Sequence, residues 1–276
     1  MIVNDLETDK GIVRWRESGD PHAPITAIWH HGTPGIGAPP GPLLANSEVR
    51  GIRWLGFDRP GYGGSTAVDS WSVADAAAMA NSVADAAGAG AFAVVGHSGG
   101  GPHALACAAL LGDRVAAAVS ISGLAPYDAD GLDWYAGMYD GGAAELRTAV
   151  NGPDAIHLLL EESDFNPEMF TPEDHAALED EWGWFNGVAA AGTAEGLAGM
   201  VGDDVAFVGP WRFDPAAVTA PTLLVHGTDD RIVPLAHARW LEARIARAEL
   251  WERPGAGHLS VMHAGEQMLD WLVAHA

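Results

Sequence analysis

Three short runs in this chain place a nucleophile, an acid and a base beside the glycines that such groups need. The first is Gly96-His97-Ser98-Gly99-Gly100, a G-x-S-x-G. It lies between an apolar run suited to a buried strand, Ala91 to Val95, and an Ala/Leu-rich run from Pro102 to Leu111 that suits a helix with proline in its first turn. A sharp strand-to-helix turn holds its central side chain clear of the sheet, and a seryl oxygen so placed can attack a carbonyl. Strand and helix nearly touch at such a turn, so the positions two before and two after must be small; Gly96 and Gly100 are. The second run is His226-Gly227-Thr228-Asp229-Asp230-Arg231-Ile232-Val233-Pro234, directly after the apolar stretch Thr222 to Val225. The third is Gly255-Ala256-Gly257-His258, after a short strand at Glu249 to Glu252. In an open parallel sheet the carboxyl ends of the strands share one edge, where ligands bind. Ser98, an aspartate of the second run and His258 can therefore converge despite their separation in sequence, the imidazole taking the seryl proton and the carboxylate orienting the imidazole.

A seryl nucleophile also needs donors for the oxyanion that develops on the attacked carbonyl. The N–H of Gly99, at the start of the helix after Ser98, is one. The loop Ile28-Trp29-His30-His31-Gly32-Thr33-Pro34-Gly35 supplies the other, with Thr33 as the expected donor. His97 lies within the turn and is a candidate to line a pocket, whereas His103, one turn into the helix, reads as packing. His263 lacks the glycine turn that precedes His258. No H-E-x-x-H and no paired cysteine spacing is present, so no metal site and no cofactor are expected.

The elements that must carry these groups follow an alternating rhythm. Ile12 to Arg16, Ile25 to Trp29, Ile52 to Phe57 and Val115 to Ile121 read as further strands, and Trp71 to Ala87 reads as a helix with Ser70 as a plausible cap. Strands separated by helices imply an α/β fold with a mostly parallel central sheet flanked by helices. From Tyr127 the rhythm changes to short helical segments without good strand runs. One has a clear start at Thr171-Pro172-Glu173-Asp174, a hydroxyl cap followed by proline and acids. Sheet grammar resumes at Pro221 to Val225, with a helix over Leu235 to Arg247 and a last helix from about Ala264. This divides the chain into an α/β core, residues 1–126 and 214–276, and a helical insertion, residues 127–213.

Composition excludes several function classes. With 14 basic against 37 acidic residues the formal charge is −23, and Lys10 is the only lysine. Such a surface repels nucleic acid and anionic membranes. The single cysteine, Cys107, has no partner for a disulfide in the chain and reads as a buried thiol. The start of the chain lacks the basic and apolar regions of a signal peptide, and no window approaches 18 uninterrupted apolar residues, so a cytoplasmic protein acting on a small-molecule substrate is expected.

Taken together, His31-Gly-Thr-Pro-Gly35, Asp58-Arg-Pro-Gly-Tyr-Gly-Gly-Ser65, Gly96-His-Ser-Gly-Gly100, Gly227-Thr-Asp-Asp-Arg-Ile-Val-Pro234 and Gly255-Ala-Gly-His258 resemble, in order, the motifs of α/β-hydrolase-fold enzymes. The resemblance implies that the insertion is a helical cap over the active site. It also implies that the acid is the residue four before the loop-closing proline, Asp230 rather than Asp229. Gly209 to Asp214 resembles the segment that re-enters the core in proline-iminopeptidase-like members, although the nucleophile loop differs from the G-G-S-W-G of true iminopeptidases. Serine at position 98 argues against dehalogenase or epoxide hydrolase chemistry, which needs a carboxylate there.

The expectation is therefore a cofactor-independent serine hydrolase that cleaves an ester, a lactone or a similar small acyl compound through an acyl-enzyme. Trp134, Tyr135, Trp182, Trp184 and Phe185 are the candidates for an apolar pocket in the cap. The same triad could instead serve C–C bond hydrolysis, cyanohydrin cleavage, perhydrolysis or aminopeptidase activity. A non-catalytic small-molecule receptor is the reading from a different class.

Overall fold

In a computed structural model that describes residues 1–276, the chain forms one eight-stranded sheet with helices on both faces. The strands are β1 (Ile2–Thr8), β2 (Gly11–Ser18), β3 (Ile25–His30), β4 (Ile52–Phe57), β5 (Phe92–His97), β6 (Val115–Ile121), β7 (Thr222–Gly227) and β8 (Ala248–Arg253). The helices are α1 (Leu44–Val49), α2 (Asp75–Ala86), α3 (Gly100–Leu110), α4 (Asp140–Ala149), α5 (Pro153–Glu162), α6 (Pro172–Glu179), α7 (Trp184–Thr193), α8 (Ala198–Val208), α9 (Ala236–Glu242) and α10 (Gly265–His275). Strand order is β1-β2-β4-β3-β5-β6-β7-β8; β1, β2 and β4 pair antiparallel and the rest of the sheet is parallel.

The apolar runs of the central strands are covered on both sides, as parallel strands require. Alternate residues go to opposite faces. Ile28, Leu55, Val94, Ala118 and Leu224 pack with Ala80, Val83, Leu105 and Leu241 of α2, α3 and α9. Trp29, Trp54, Val95, Val119 and Val225 pack on the other face with Met268, Leu269 and Leu272 of α10.

Two helix boundaries differ from expectation. The helix expected from Trp71 begins at Asp75, and Ser70 does not cap it; instead the amide and hydroxyl of Ser72 donate to the Asp75 carboxylate at 2.9 and 2.5 Å, which closes a turn over residues 72–75. The helix expected through Arg247 ends at Glu242. The chain must leave it there to bring the Arg247 carbonyl to the amide of Thr222 (3.0 Å) and start β8 beside β7.

Between β6 and β7 the chain forms α4 to α8 and short single turns, with no strand. The start of α6 is a complete capping box: Thr171 accepts from the amide of Asp174, and Asp174 accepts from the amide of Thr171. No helix of the protein is long and apolar enough to cross a membrane.

Candidate active site

Pairing of the strands brings the candidate residues to one sheet edge. β5 lies beside β3 with Gly96 opposite His30, so the turn at Ser98 meets the loop that starts at His31. β7 and β8 pair with His226 opposite Glu252, so the loops carrying Asp230 and His258 leave side by side.

Ser98 has φ +54°, a conformation L-residues other than glycine seldom adopt, and it is only partly buried. Its amide is tied to the carbonyl of Ile121 at 2.8 Å. A methyl group at Gly96 would collide with the carbonyl of Gly100, and one at Gly100 with the carbonyl of His30. The turn can therefore form only with glycine at both places.

His258 Nδ1 and Asp230 Oδ2 are 2.8 Å apart, both side chains being buried. The other carboxylate oxygen of Asp230 accepts from the amides of Ile232 and Val233, each at 2.9 Å. Burial alone would raise the Asp230 pKa, but His258 facing it brings the value down to about 2. Burial likewise works against a charged His258, yet the Asp230 carboxylate outweighs it and lifts the imidazole above its ordinary value. His258 Nε2 has no hydrogen-bond partner within the chain. Asp229, by contrast, is exposed and accepts from the hydroxyl of its neighbour Thr228 at 2.9 Å.

The loop after β3 carries Thr33 up against the turn. A methyl group at Gly32 would stand 3.5 Å from Ser98 Cβ, and one at Gly99 would meet the Thr33 side chain. Neither the Thr33 nor the Gly99 amide donates to an acceptor within the chain. The Thr33 hydroxyl donates to Asp203 Oδ2 of α8 at 2.6 Å. Asp203 also pairs with buried Arg59 (2.9 and 2.5 Å) and accepts from the Tyr62 hydroxyl at 2.8 Å. Arg59 in turn donates to the carbonyls of His31 and Gly32 and to the Thr33 hydroxyl, at 2.6, 3.1 and 3.1 Å. Burial opposes charge on Asp203, but Arg59 holds its carboxyl well below the usual range. The ring of His31 accepts from the amide of Arg59 through Nε2 and reaches the carbonyl of Gly32 through Nδ1, which fixes the neutral Nδ1–H form.

His97 is buried, its Nε2 is 3.0 Å from the carbonyl of His258, and its ring lies 4.9 Å from that of Phe185. Burial pushes its pKa down to about 3, so it is neutral and donates to that carbonyl. Trp182 stacks behind Phe185 at 5.6 Å. Trp184 packs edge-on against Trp29 of β3, 6.4 Å away. Trp134 and Tyr135 belong to a different cluster. Trp134 is buried with Met138, Phe207 and Trp211 and donates to the carbonyl of Ala125 at 2.9 Å. Tyr135 lies beneath Arg147, whose guanidinium is 4.3 Å from its ring centre. Of the expected pocket residues, Phe185 is the one seated against His97 beside His258.

Several residues of the site escape a reading of local sequence. Phe207 stands 2.8 Å from where a methyl group on Gly99 would be, although nothing near it in sequence signals that contact. Arg59 sits in the Asp58 to Ser65 turn, but its partner Asp203 comes from α8, 144 positions away. No group of three or more His, Cys, Asp or Glu side chains is placed to hold a metal ion.

A strained serine turn, a His–Asp pair and a glycine-bounded loop at the carboxyl edge of a mostly parallel sheet define the architecture of an α/β hydrolase. A family model described as the α/β hydrolase fold matches residues 28–264, and the chain belongs to that family. It is similar to the monoacylglycerol lipase of Mycolicibacterium smegmatis, with 34% identity over 134 residues, 46% of this chain and 45% of the lipase. The chain thus spans less than half the length of that curated relative. Among solved structures it resembles an α/β hydrolase fold protein from Nakamurella multipartita, with 25% identity, a TM-score of 0.70 and 100% of each chain covered. It also shares its fold with the enol-lactonase of Burkholderia xenovorans LB400, with 18% identity, a TM-score of 0.73 and 99% of each chain covered.

Proposed function

We propose that this chain is a serine hydrolase of esters, lactones or similar small acyl compounds. The observation that carries the reading is a left-handed Ser98 turn and a buried His258–Asp230 pair at the same edge of the sheet. In this reading Ser98 Oγ attacks the acyl carbon while His258 Nε2 takes its proton, and Asp230 stabilises the imidazolium that forms. The unpartnered amides of Thr33 and Gly99 hold the oxyanion. The imidazolium then returns the proton to the leaving alcohol, and water, deprotonated by the same His258, releases the acid from the acyl-serine. The helical segment between β6 and β7 acts as a cap, with Phe185 against His97 and Phe207 against Gly99 as apolar walls. The similarity to a monoacylglycerol lipase supports an oxygen ester as the bond cleaved.

The reading is tested with a fluorophosphonate probe, peptide mass analysis and a panel of nitrophenyl esters of rising acyl length. Wild-type protein should be labelled on Ser98 and turn over the shorter esters. The Ser98→Ala variant should keep its fold and lose labelling and at least about a thousandfold in kcat. Turnover within that limit, or wild-type protein inert to both probe and esters, removes the proposal.

A further inference from the structure

Asp174 is the acid of the α6 capping box, and a capping box uses its carboxylate once, for the amide of Thr171 (3.2 Å). Here the carboxylate takes four further bonds, all from the loop that carries His258. Oδ2 accepts from the amide of His258 at 3.1 Å. Oδ1 accepts from the amides of Leu259 and Ser260, each at 2.8 Å, and from the Ser260 hydroxyl at 2.9 Å. The Ser260 hydroxyl accepts in turn from the amide of Gly257 at 2.8 Å. A side chain at Gly257 would run into the Asp174 carboxylate, so the loop closes around that group only because glycine stands there. Residues 257–260 are therefore wrapped about one buried side chain that belongs to the helical segment and lies 84 positions away from His258.

We infer that Asp174 is a positioning residue for His258: from α6 it fixes the backbone of the Gly257–Ser260 loop, so that the imidazole is delivered to Ser98 at the correct height. The inference rests on the proposed role of His258 as general base. His258 is then held at three points, its amide by Asp174, its carbonyl by His97 and its ring by Asp230. Two of these supports come from the sheet edge, while the third comes from the helical segment, which makes the position of α6 part of the catalytic geometry.

Besides holding the loop, the Asp174 charge favours the protonated imidazole. The other charged or titratable groups facing His258 are Asp230 on its Nδ1, neutral His97 beside its ring (5.0 Å between ring centres), and His226, whose Nε2 is 3.5 Å from Asp230 Oδ2. Asp174 is itself ionised. Burial opposes its charge, but the amides of Ser260 and Leu259 overcome that and lower its pKa. An amide at this position removes the charge and turns one of the two accepting oxygens into a donor facing backbone N–H groups, so it weakens both effects, whereas the α6 cap can be broken separately at Thr171.

The test compares Asp174→Asn, Ser260→Ala and Thr171→Ala by nitrophenyl acetate kinetics and by NMR titration of ¹⁵N-labelled His258. Expected for Asp174→Asn is a fall in kcat of about tenfold to a hundredfold with KM little changed, the scale of misplacing a reacting group by about 1 Å. The His258 pKa should drop by about half a unit or more, carrying the acid limb of kcat/KM with it. Ser260→Ala should lower kcat in the same direction by a smaller factor. It serves as the fold-preserving variant if Asp174→Asn is not recovered soluble. Thr171→Ala should lower the melting temperature while leaving the His258 pKa in place. An unchanged His258 titration in folded Asp174→Asn overturns the inference, as does a Thr171→Ala variant with the same kinetic and pKa losses. So does wild-type kcat in Ser260→Ala. Should wild-type protein cleave no ester, the proposed function fails, and the NMR titration still decides the role of Asp174.

Discussion

Asp229 and Asp230 are neighbours whose surroundings make them chemically opposite. Asp230 is buried against His258 Nδ1 with two amides on its second oxygen, while Asp229 lies in solvent beside Thr228. An Asp→Asn change keeps size but removes the charge that selects the imidazole tautomer and stabilises the imidazolium. In a serine-protease triad that change lowered kcat about 10⁴-fold. Asp230→Asn should therefore lose several orders of magnitude on an activated ester and Asp229→Asn less than about tenfold; a crippling loss at Asp229 would show that the loop turns the other way in solution. In the proposed mechanism the same pair sets the pH dependence. Because Asp230 lifts the His258 pKa, the base form is lost as pH falls through a value above the ordinary histidine value of about 6.5, and the acid limb of kcat/KM should centre there. A limb centred below 6.5 would mean that burial outweighs Asp230.

At the scale of elements, what was legible in the sequence was whatever local chemistry dictates. The Ser98 turn declares itself through Gly96 and Gly100, the α6 start through Thr171-Pro172, and β4 and β6 through largely apolar runs. The supports that cross from the helical segment to the sheet edge do not declare themselves, because local sequence carries no sign of which distant loop a helical aspartate meets. Asp174, legible only as an acid of the α6 start, and Asp203 on α8, beside Asp204, are both buried. Asp203 also explains how the loop after β3 is held. Arg59 and Asp203 form a buried pair through which α8 grips Thr33. Removing one partner leaves an uncompensated buried charge, so Asp203→Ala should cost about 3–5 kcal/mol of stability in chemical denaturation. Replacing both, as Arg59→Met with Asp203→Leu, should recover most of that stability, since buried pairs are often no better than apolar packing. Activity should not return with it, because Thr33 has then lost both partners of its hydroxyl. A double variant with wild-type kcat would show that the pair serves the fold alone.

The whole molecule combines a strongly acidic surface with a core unusually rich in histidine, and the two respond to acid in different ways. His30, His31, His97, His103, His226 and His237 are all buried, and burial is the leading cause that lowers each of their pKa values. His97 is brought to about 3 and His237 to about 4. A histidine lowered in this way binds fewer protons in the fold than in the unfolded chain. Its contribution to stability is complete above the unfolded value of about 6.5 and is lost as pH falls through and below it. At pH 5 each histidine that stays neutral forfeits about 2 kcal/mol, so His97 and His237 together forfeit about 4 kcal/mol. His258, raised instead, acts with the opposite sign, as do Asp204 and Glu145, whose pKa values burial raises; the six buried histidines outnumber these three. The buried carboxylates Asp174, Asp203 and Asp230 add their own loss only below about pH 4, the unfolded aspartate range. The carboxylates that make up the −23 formal charge protonate for the most part below pH 5, so their relief offsets the histidines little between pH 7.5 and 5. The melting temperature should fall by about 10 °C or more over that interval, on the scale of 2–4 °C per kcal/mol for a domain of this size. Salt separates the two effects. One molar NaCl should raise the melting temperature at pH 7.5 by screening surface repulsion, yet leave the acid-induced drop in place, because buried groups are screened little. A melting temperature at pH 5 equal to that at pH 7.5 would show that these histidines become protonated within the fold.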